Sequence, residues 1–358
     1  MIKLQKVLSE IECSYKESEK RAKEYIDSLA KPIGSLGLLE EIAARYAGIT
    51  GNIKNTINKK AVVVMAADNG VCEEGVSAAP QIITKVMTAA MPKMLTGVGV
   101  LSRYAGADIR VIDIGVKGEI NHPEILSKKV MQGTNNMCQG PAMSREEAVK
   151  AIEIGIEAAE QLIMEGYDLL GTGEMGIGNT STSSAVTSVL LNLTVEEVVG
   201  MGAGLTLEQY THKLNVIKRA IKVNNPDSSD VIDVIAKIGG LDIAGMVGLY
   251  LGAARHKKAI VIDGLISGVA ALCAYRLKKE CRDYMFTSHM SEEKAVTYIF
   301  DALGLAPMLH MNMRLGEGSG CPLAFNIIEA ALFTVSEMAS FNDVGIQEED
   351  SKKLVDIR

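Results

Sequence analysis

Four short, largely apolar runs stand out along the chain, at Ala61–Ala66, Ile109–Ile114, Tyr167–Leu170 and Ala259–Ile262. Each is bounded by polar residues and leads into a glycine-containing loop, at Gly70, Gly115, Gly171 and Gly264. Apolar runs of this length, without a strict in–out alternation, predict strands covered on both faces. Between them the spacing changes to that of helices. Ser144-Arg-Glu-Glu147 is a capping box, and Ala148, Ile152, Ile156, Ala159 and Ile163 follow at helical intervals until Gly166. The first 48 residues also read as helical. One helix is predicted from Lys3 to Ala30, broken by Lys31-Pro-Ile-Gly34; Ser35 then caps a second through Leu38, Leu39, Ile42 and Ala43. Pro322 suits the first turn of a further helix running through Ala331. Strand, loop and helix in alternation predict the α/β class, a mainly parallel sheet with helices on both faces. Such sheets bind ligands beyond the carboxyl ends of their strands, which directs attention to the glycine loops.

Composition narrows the function classes. Apolar residues make up 47% of the 358 positions and charged residues 23%, values of a water-soluble globular chain. The net charge of −7 provides no basic footprint for nucleic acid. Residues 1–20 are too polar for a signal peptide, and every apolar stretch is interrupted before it could span a bilayer. Six cysteines without a C-x-x-C pair fit a reducing, cytoplasmic setting better than a disulfide framework. The five histidines show no metal-ligand spacing, so neither a metal nor a cofactor is expected.

Two loops carry candidate chemistry. Gly171-Thr-Gly-Glu-Met-Gly176 contains the letters G-x-G-x-x-G after a predicted strand, which raises an NAD-dependent oxidoreductase reading. Against it, the acidic residue expected about 20 positions on falls in the helix-favouring Thr194-Val-Glu-Glu197. Glu174 would also confront the pyrophosphate. Asn179, Thr180 and Ser181 suit the cap of the next helix, a position equally able to hold a phosphate or carboxylate. The second loop, Arg314-Leu-Gly-Glu-Gly-Ser-Gly320, places a single carboxylate between glycines. Its small neighbours let a planar ligand approach the main chain beside Glu317. The residues alone leave two readings open: a general base, or a carboxylate paired with Arg314 in an ordinary loop. Lys213, before a basic-apolar helix, is likewise either a phosphate partner or a solvated surface side chain. Asp68-Asn69-Gly70 and Asp263-Gly264 end strands where active-site carboxylates often sit, though both are also turn formers.

Six motifs in order then form a pattern: Lys31-Pro-Ile-Gly-Ser-Leu-Gly37, Ala67-Asp-Asn-Gly-Val71 with Glu74-Gly-Val-Ser77, Gly173-Glu-Met-Gly-Ile-Gly-Asn-Thr180, Asp263-Gly264, Ser288-His289 and Met313–Gly320. The set resembles the nicotinate-nucleotide:dimethylbenzimidazole phosphoribosyltransferases of cobalamin assembly over roughly residues 25 to 340. The resemblance implies a Rossmann-like sheet in a large domain, 25–325, with a small helical lobe from 1–24 and 326–358, and a homodimer. It implies as substrates nicotinate mononucleotide and a benzimidazole-type base. Catalytic roles fall on Glu317 and Glu174. Nucleotide and phosphate contacts fall on Gly176, Ile177, Gly202, Lys213, Gly264, Arg314 and Gly316. The base pocket would involve Ala79, Met87, Met175 and Leu315. Asn69 stands where the family commonly has His, and Ala79 and Met87 where some members have Ser and Gln. These departures imply a more apolar, permissive base pocket. A catalytically silent nucleotide-binding protein is the reading from a different class.

Overall fold

The structure is a computed structural model that describes residues 2–200, 206–346 and 356–357. Its centre is a sheet of six strands: β1 Lys60–Ala67, β2 Asp108–Gly115, β3 Ile125–Ser127, β4 Leu169–Met175, β5 Ala259–Ile262 and β6 Met285–Thr287. All pairings are parallel and the order is β3-β2-β1-β4-β5-β6. This is the doubly wound Rossmann-type order, with its switch point between β1 and β4. The expected α/β class, with helices on both faces, is thus present.

The two sheet faces can be told apart along β1, because successive side chains point to opposite sides. Met65 packs near Gly245 of the helix Leu241–Arg255, whereas Val62 and Val64 face the Gly318 and Gly173 backbones, toward the helix Gly320–Glu337. Helix 241–255 also lies against Arg145–Met164, the helix opened by the Ser144–Glu147 capping box. A Cβ on Gly155 would stand 1.9 Å from the Gly245 carbonyl oxygen, so glycine is what permits this backbone-to-backbone approach.

The structure corrects several sequence expectations. β4 does not stop at Leu170 but continues through Gly171 and Gly173 to Met175. A Cβ at Gly171 would lie 2.7 Å from that of Cys321, and one at Gly173 would lie 2.4 Å from the Glu317 carbonyl oxygen. The two glycines are strand positions, Gly171 pressed by the Cys321 and Phe325 side chains and Gly173 by the Glu317 backbone, not a dinucleotide loop. The helix expected over Lys3–Ala30 is two, Ile2–Glu10 and Lys16–Asp27. Between them Ile11 turns into the core, and the Ser14 amide and hydroxyl donate to Asp283 at 3.0 and 3.1 Å. The next helix, Leu38–Thr50, begins after Gly37 at φ 55° with no side-chain cap, so Ser35 does not cap it. Asn179–Leu191 likewise follows Gly178 at φ 93° without a side-chain cap. Lys213 lies within the helix Leu207–Asn224 rather than before it.

The two chain ends meet: Leu29 and Ser340 form an antiparallel bridge, and the Ala30 amide donates to the Ala339 carbonyl at 2.9 Å. The boundary expected between residues 325 and 326 falls inside the continuous helix Gly320–Glu337. Among the described residues no helix is long and apolar enough to cross a membrane.

Candidate active site

At the carboxyl ends of β4 and β5 a cavity of about 330 Å³ opens. Glu317 is one of its walls and is almost completely buried. It sits in a left-handed turn: Gly316, Glu317 and Gly318 have φ of 82°, 63° and 92°. Glycine adopts this region freely, but a residue with a side chain does so at a cost of about 1–2 kcal/mol, so the turn must be held. Glu174, at the end of β4, accepts the Glu317 N–H at 3.2 Å. Asp263, just after β5, accepts the Gly318 and Gly320 amides at 3.1 and 2.7 Å. Two carboxyls from two strands therefore fix the loop. The flanking glycines serve the turn itself: a Cβ on Gly316 would reach to 2.6 Å from a Glu174 carboxyl oxygen.

The Glu317 carboxylate points to a third element. Its Oε2 accepts the Val98 amide at 3.1 Å in the first turn of the helix Gly97–Ala105, where free N–H groups stabilise negative charge. Among the described residues Oε1 takes no hydrogen bond, and Arg314 forms no ion pair with Glu317. Arg314 donates instead toward the Asn312 carbonyl at 3.4 Å. The salt-bridged loop reading is thereby set aside.

Behind Glu317 lies a buried acid cluster. Burial first, and then the charge of Asp242, push the Glu174 carboxyl up to about 8. Burial pushes Asp263 up to about 7, opposed by the Gly320 and Gly318 amides and aided by Glu317. Asp242 is raised to about 6, again by burial. Asn179 joins the group, its side-chain amide donating to Glu174 and, at 3.2 Å, to Asp242. His289 is buried beside Asp263 at 3.9 Å, and burial pulls its pKa down. Among the described residues no three His, Cys, Asp or Glu side chains are disposed as metal ligands.

Cationic chemistry enters from helix 207–224. Lys213 is 7% exposed, and its ammonium donates to the Thr180 hydroxyl at 2.8 Å. Thr180 lies in the first turn of helix 179–191 and lines the cavity. Burial pulls the Lys213 ammonium down, with Glu293 opposing. Lys213 is therefore a shielded cation at a helix start, not a solvated surface side chain.

The family assignment rests on comparison with known proteins. A phosphoribosyltransferase family model matches residues 11–346. The chain is 54% identical over 355 residues to the nicotinate-nucleotide–dimethylbenzimidazole phosphoribosyltransferase of Clostridium tetani, covering 99% of this chain and 98% of that one. The chain belongs to this family. The Ruminiclostridium cellulolyticum member is 50% identical over 332 residues, covering 93% of this chain and 94% of its own. The crystal structure of CobT from Thermus thermophilus superposes with a TM-score of 0.88 at 38% identity, covering 93% of this chain and 99% of that one. The family's sheet is therefore the one described above.

Within this phosphoribosyltransferase fold the expected site residues divide clearly. Glu317, Glu174, Gly176, Ile177, Gly264, Arg314, Gly316, Met87, Met175 and Leu315 all line the cavity. Ala79 does not; it lies in the turn before the helix Ile82–Ala90, its amide donating to Ser77 at 3.2 Å. Lys213 reaches the cavity only through Thr180. Gly202 lies outside the described residues. Asp68 and Asn69 are buried beside the site without lining it, and an Asp68 oxygen accepts the Lys117 amide at 2.8 Å. Asp242 was missed as a site residue, and Asn179, expected as a helix cap, instead joins the acid cluster. For Asp242 a signal exists, a lone acid in the apolar run Leu241–Tyr250.

Proposed function

We propose that this chain transfers phosphoribose from β-nicotinate mononucleotide to 5,6-dimethylbenzimidazole or a related base. The products are α-ribazole 5′-phosphate and nicotinate, and Glu317 is the general base. The observation that carries this reading is the Glu317 carboxylate itself. One oxygen is anchored on the Val98 amide, and among the described residues the other takes no hydrogen bond, in a cavity lined by Thr180, which the Lys213 ammonium meets. Nicotinate attached through its ring nitrogen is already a cationic leaving group and departs without acid assistance. The step left to the protein is removal of the benzimidazole N–H proton while the other nitrogen attacks C1′ from the opposite face. A positioned carboxylate and the joint holding of two reactants supply that step. Attack from the opposite face inverts C1′ and gives the α product.

Lys213, Thr180 and the start of helix 179–191 hold the 5′-phosphate. Ile83, Met87, Met175 and Leu315 form the wall against which the flat acceptor lies. That wall has no hydrogen-bonding side chain, which favours acceptance of several benzimidazoles, and of purines or phenols. The chain acts as a cytoplasmic homodimer. Exposed apolar side chains support the dimer: Ile82 and Val86 on helix 82–90, Leu95, and Val100 and Tyr104 on the helix Gly97–Ala105. Light scattering on the purified protein tests it.

The deciding experiment incubates the protein with nicotinate mononucleotide and a panel of bases and identifies the nucleotides formed by mass. Formation of α-ribazole 5′-phosphate is expected. Recovery of unreacted substrates alone would refute the assignment.

A further inference from the structure

A second cavity, of about 190 Å³, lies away from the carboxylate cluster, between the N-terminal helices 16–27 and 38–50 and the β6 edge of the sheet. Two guanidiniums line it. Arg45, on helix 38–50, donates to the Met285 carbonyl at 2.6 Å and lies 4.7 Å over the Phe286 ring. Arg282, just before β6, donates to the Gly304 carbonyl at 2.7 Å, while its Nε is shielded from solvent and has no hydrogen-bond partner among the described residues. Among the described residues neither guanidinium makes an ion pair. The acids around the cavity are largely occupied elsewhere. Asp283 is 3.1 Å from the Lys16 ammonium and also accepts from Ser14, and Glu19 is 3.0 Å from Lys23. Glu41, exposed one turn before Arg45, is the remaining counter-charge. Burial pulls Arg45 down from its ordinary value; Glu41 opposes this and the Arg282 charge adds to it.

A buried donor without an acceptor costs about 1–3 kcal/mol, and two neighbouring guanidiniums repel. A ligand presenting paired oxygens and negative charge relieves both, in the fork geometry arginine provides. We propose that this cavity binds a small oxyanion between Arg45 and Arg282, tying the N-terminal helices to the edge of the sheet. Two sources present that chemistry, inorganic phosphate and the carboxylate of nicotinate, the released product of the proposed reaction.

The test removes the first anion site before probing the second. In Lys213→Met protein, inorganic phosphate is expected to raise Tm saturably, by about 2 °C at concentrations well above Kd. Adding Arg282→Met abolishes the rise, and Arg45→Met, made in parallel, does the same. Repeating the titration with nicotinate identifies the source by which ligand acts at the lower concentration. Absence of any saturable shift with either anion in the Lys213→Met protein overturns the proposal. So does a phosphate-dependent shift that survives both arginine substitutions. Because the first arm uses no arginine variant, the proposal stays refutable even if neither variant folds, and its failure leaves the transferase reading untouched.

Discussion

At the scale of single residues, Glu317 is where sequence and structure meet most closely. A carboxylate between glycines is visible in the chain, and the structure adds why the glycines are there. They let residues 316–318 turn left-handed, and the turn aims the carboxylate at the Gly97–Ala105 helix start. Glu317→Gln keeps the shape and one acceptor oxygen but cannot take a proton. Turnover is expected to fall by about a hundredfold or more, while calorimetry shows nicotinate mononucleotide binding retained. Asp263→Asn tests the positioning of the loop: the amide meets the Gly318 or Gly320 N–H with its own NH2 and releases one anchor. Losing one such bond is worth about 1–3 kcal/mol. If it acts on the placement of Glu317, kcat falls about tenfold or more while KM for the nucleotide changes less; an equal rise in KM would assign Asp263 to binding instead. Asn179 and Asp242 were illegible as partners because they lie 63 positions apart and meet only once the sheet has brought their loops together. Lys213 was ambiguous for a related reason: nothing local to His212-Lys213-Leu214 tells that this face of its helix is covered.

At the scale of elements, long buried strands were legible and short ones were not. β1, β2 and β5 appear within about one residue at each end because apolar runs bounded by polar residues leave little choice. β3 and β6 are three-residue edges, Ile125–Ser127 and Met285–Thr287, too short for any pattern to register. The extension of β4 was hidden because glycine reads as a breaker in sequence, whereas here it makes room for a second backbone. The same logic governs the packing of helices 145–164 and 241–255, and it predicts a sharp response. At Gly248 a Cβ would lie 2.0 Å from the Ile152 carbonyl oxygen, a backbone atom that cannot rotate away. Gly248→Ala, harmless to helix propensity, is expected to destabilise the fold by about 3 kcal/mol through overpacking. Urea unfolding checks this. A midpoint equal to that of the parent protein would mean that the two helices separate at little cost.

At the scale of the whole molecule, the chemistry sits on a fold that buries acids it does not neutralise. Glu174, Asp263 and Asp242 are raised to about 8, 7 and 6, each by burial before any other cause. In the unfolded chain these carboxyls return to the ordinary range near pH 4. Around neutral pH the folded protein therefore holds protons that the unfolded chain has released. Folding stability must then fall as pH rises, by about 1.4 kcal/mol per pH unit for each proton held. The fall begins as the unfolded carboxyls ionise near pH 4 and ends as Asp263 and then Glu174 ionise in the fold, at about pH 7 and about pH 8. Below about pH 7 His289 acts in the opposite direction, since burial lowers its pKa in the fold and the unfolded imidazole takes up a proton more readily. The span from about pH 7 to about pH 8 keeps that contribution small. Denaturant unfolding of the ligand-free protein across this span should give a falling free energy. Glu174→Gln should reduce the slope, most strongly near pH 7, where the folded Glu174 still holds its proton, and less toward pH 8 as that proton is released. A flat profile would mean that these acids reach water in the folded state, and that the cavity is wetter than its geometry implies. A falling profile that Glu174→Gln leaves unchanged would move the proton uptake to other groups. A slope that responds to the substitution would identify Glu174 as the carboxyl held neutral directly behind the Glu317 backbone. Glu317 could then carry the cluster's negative charge facing the substrate with less repulsion from behind.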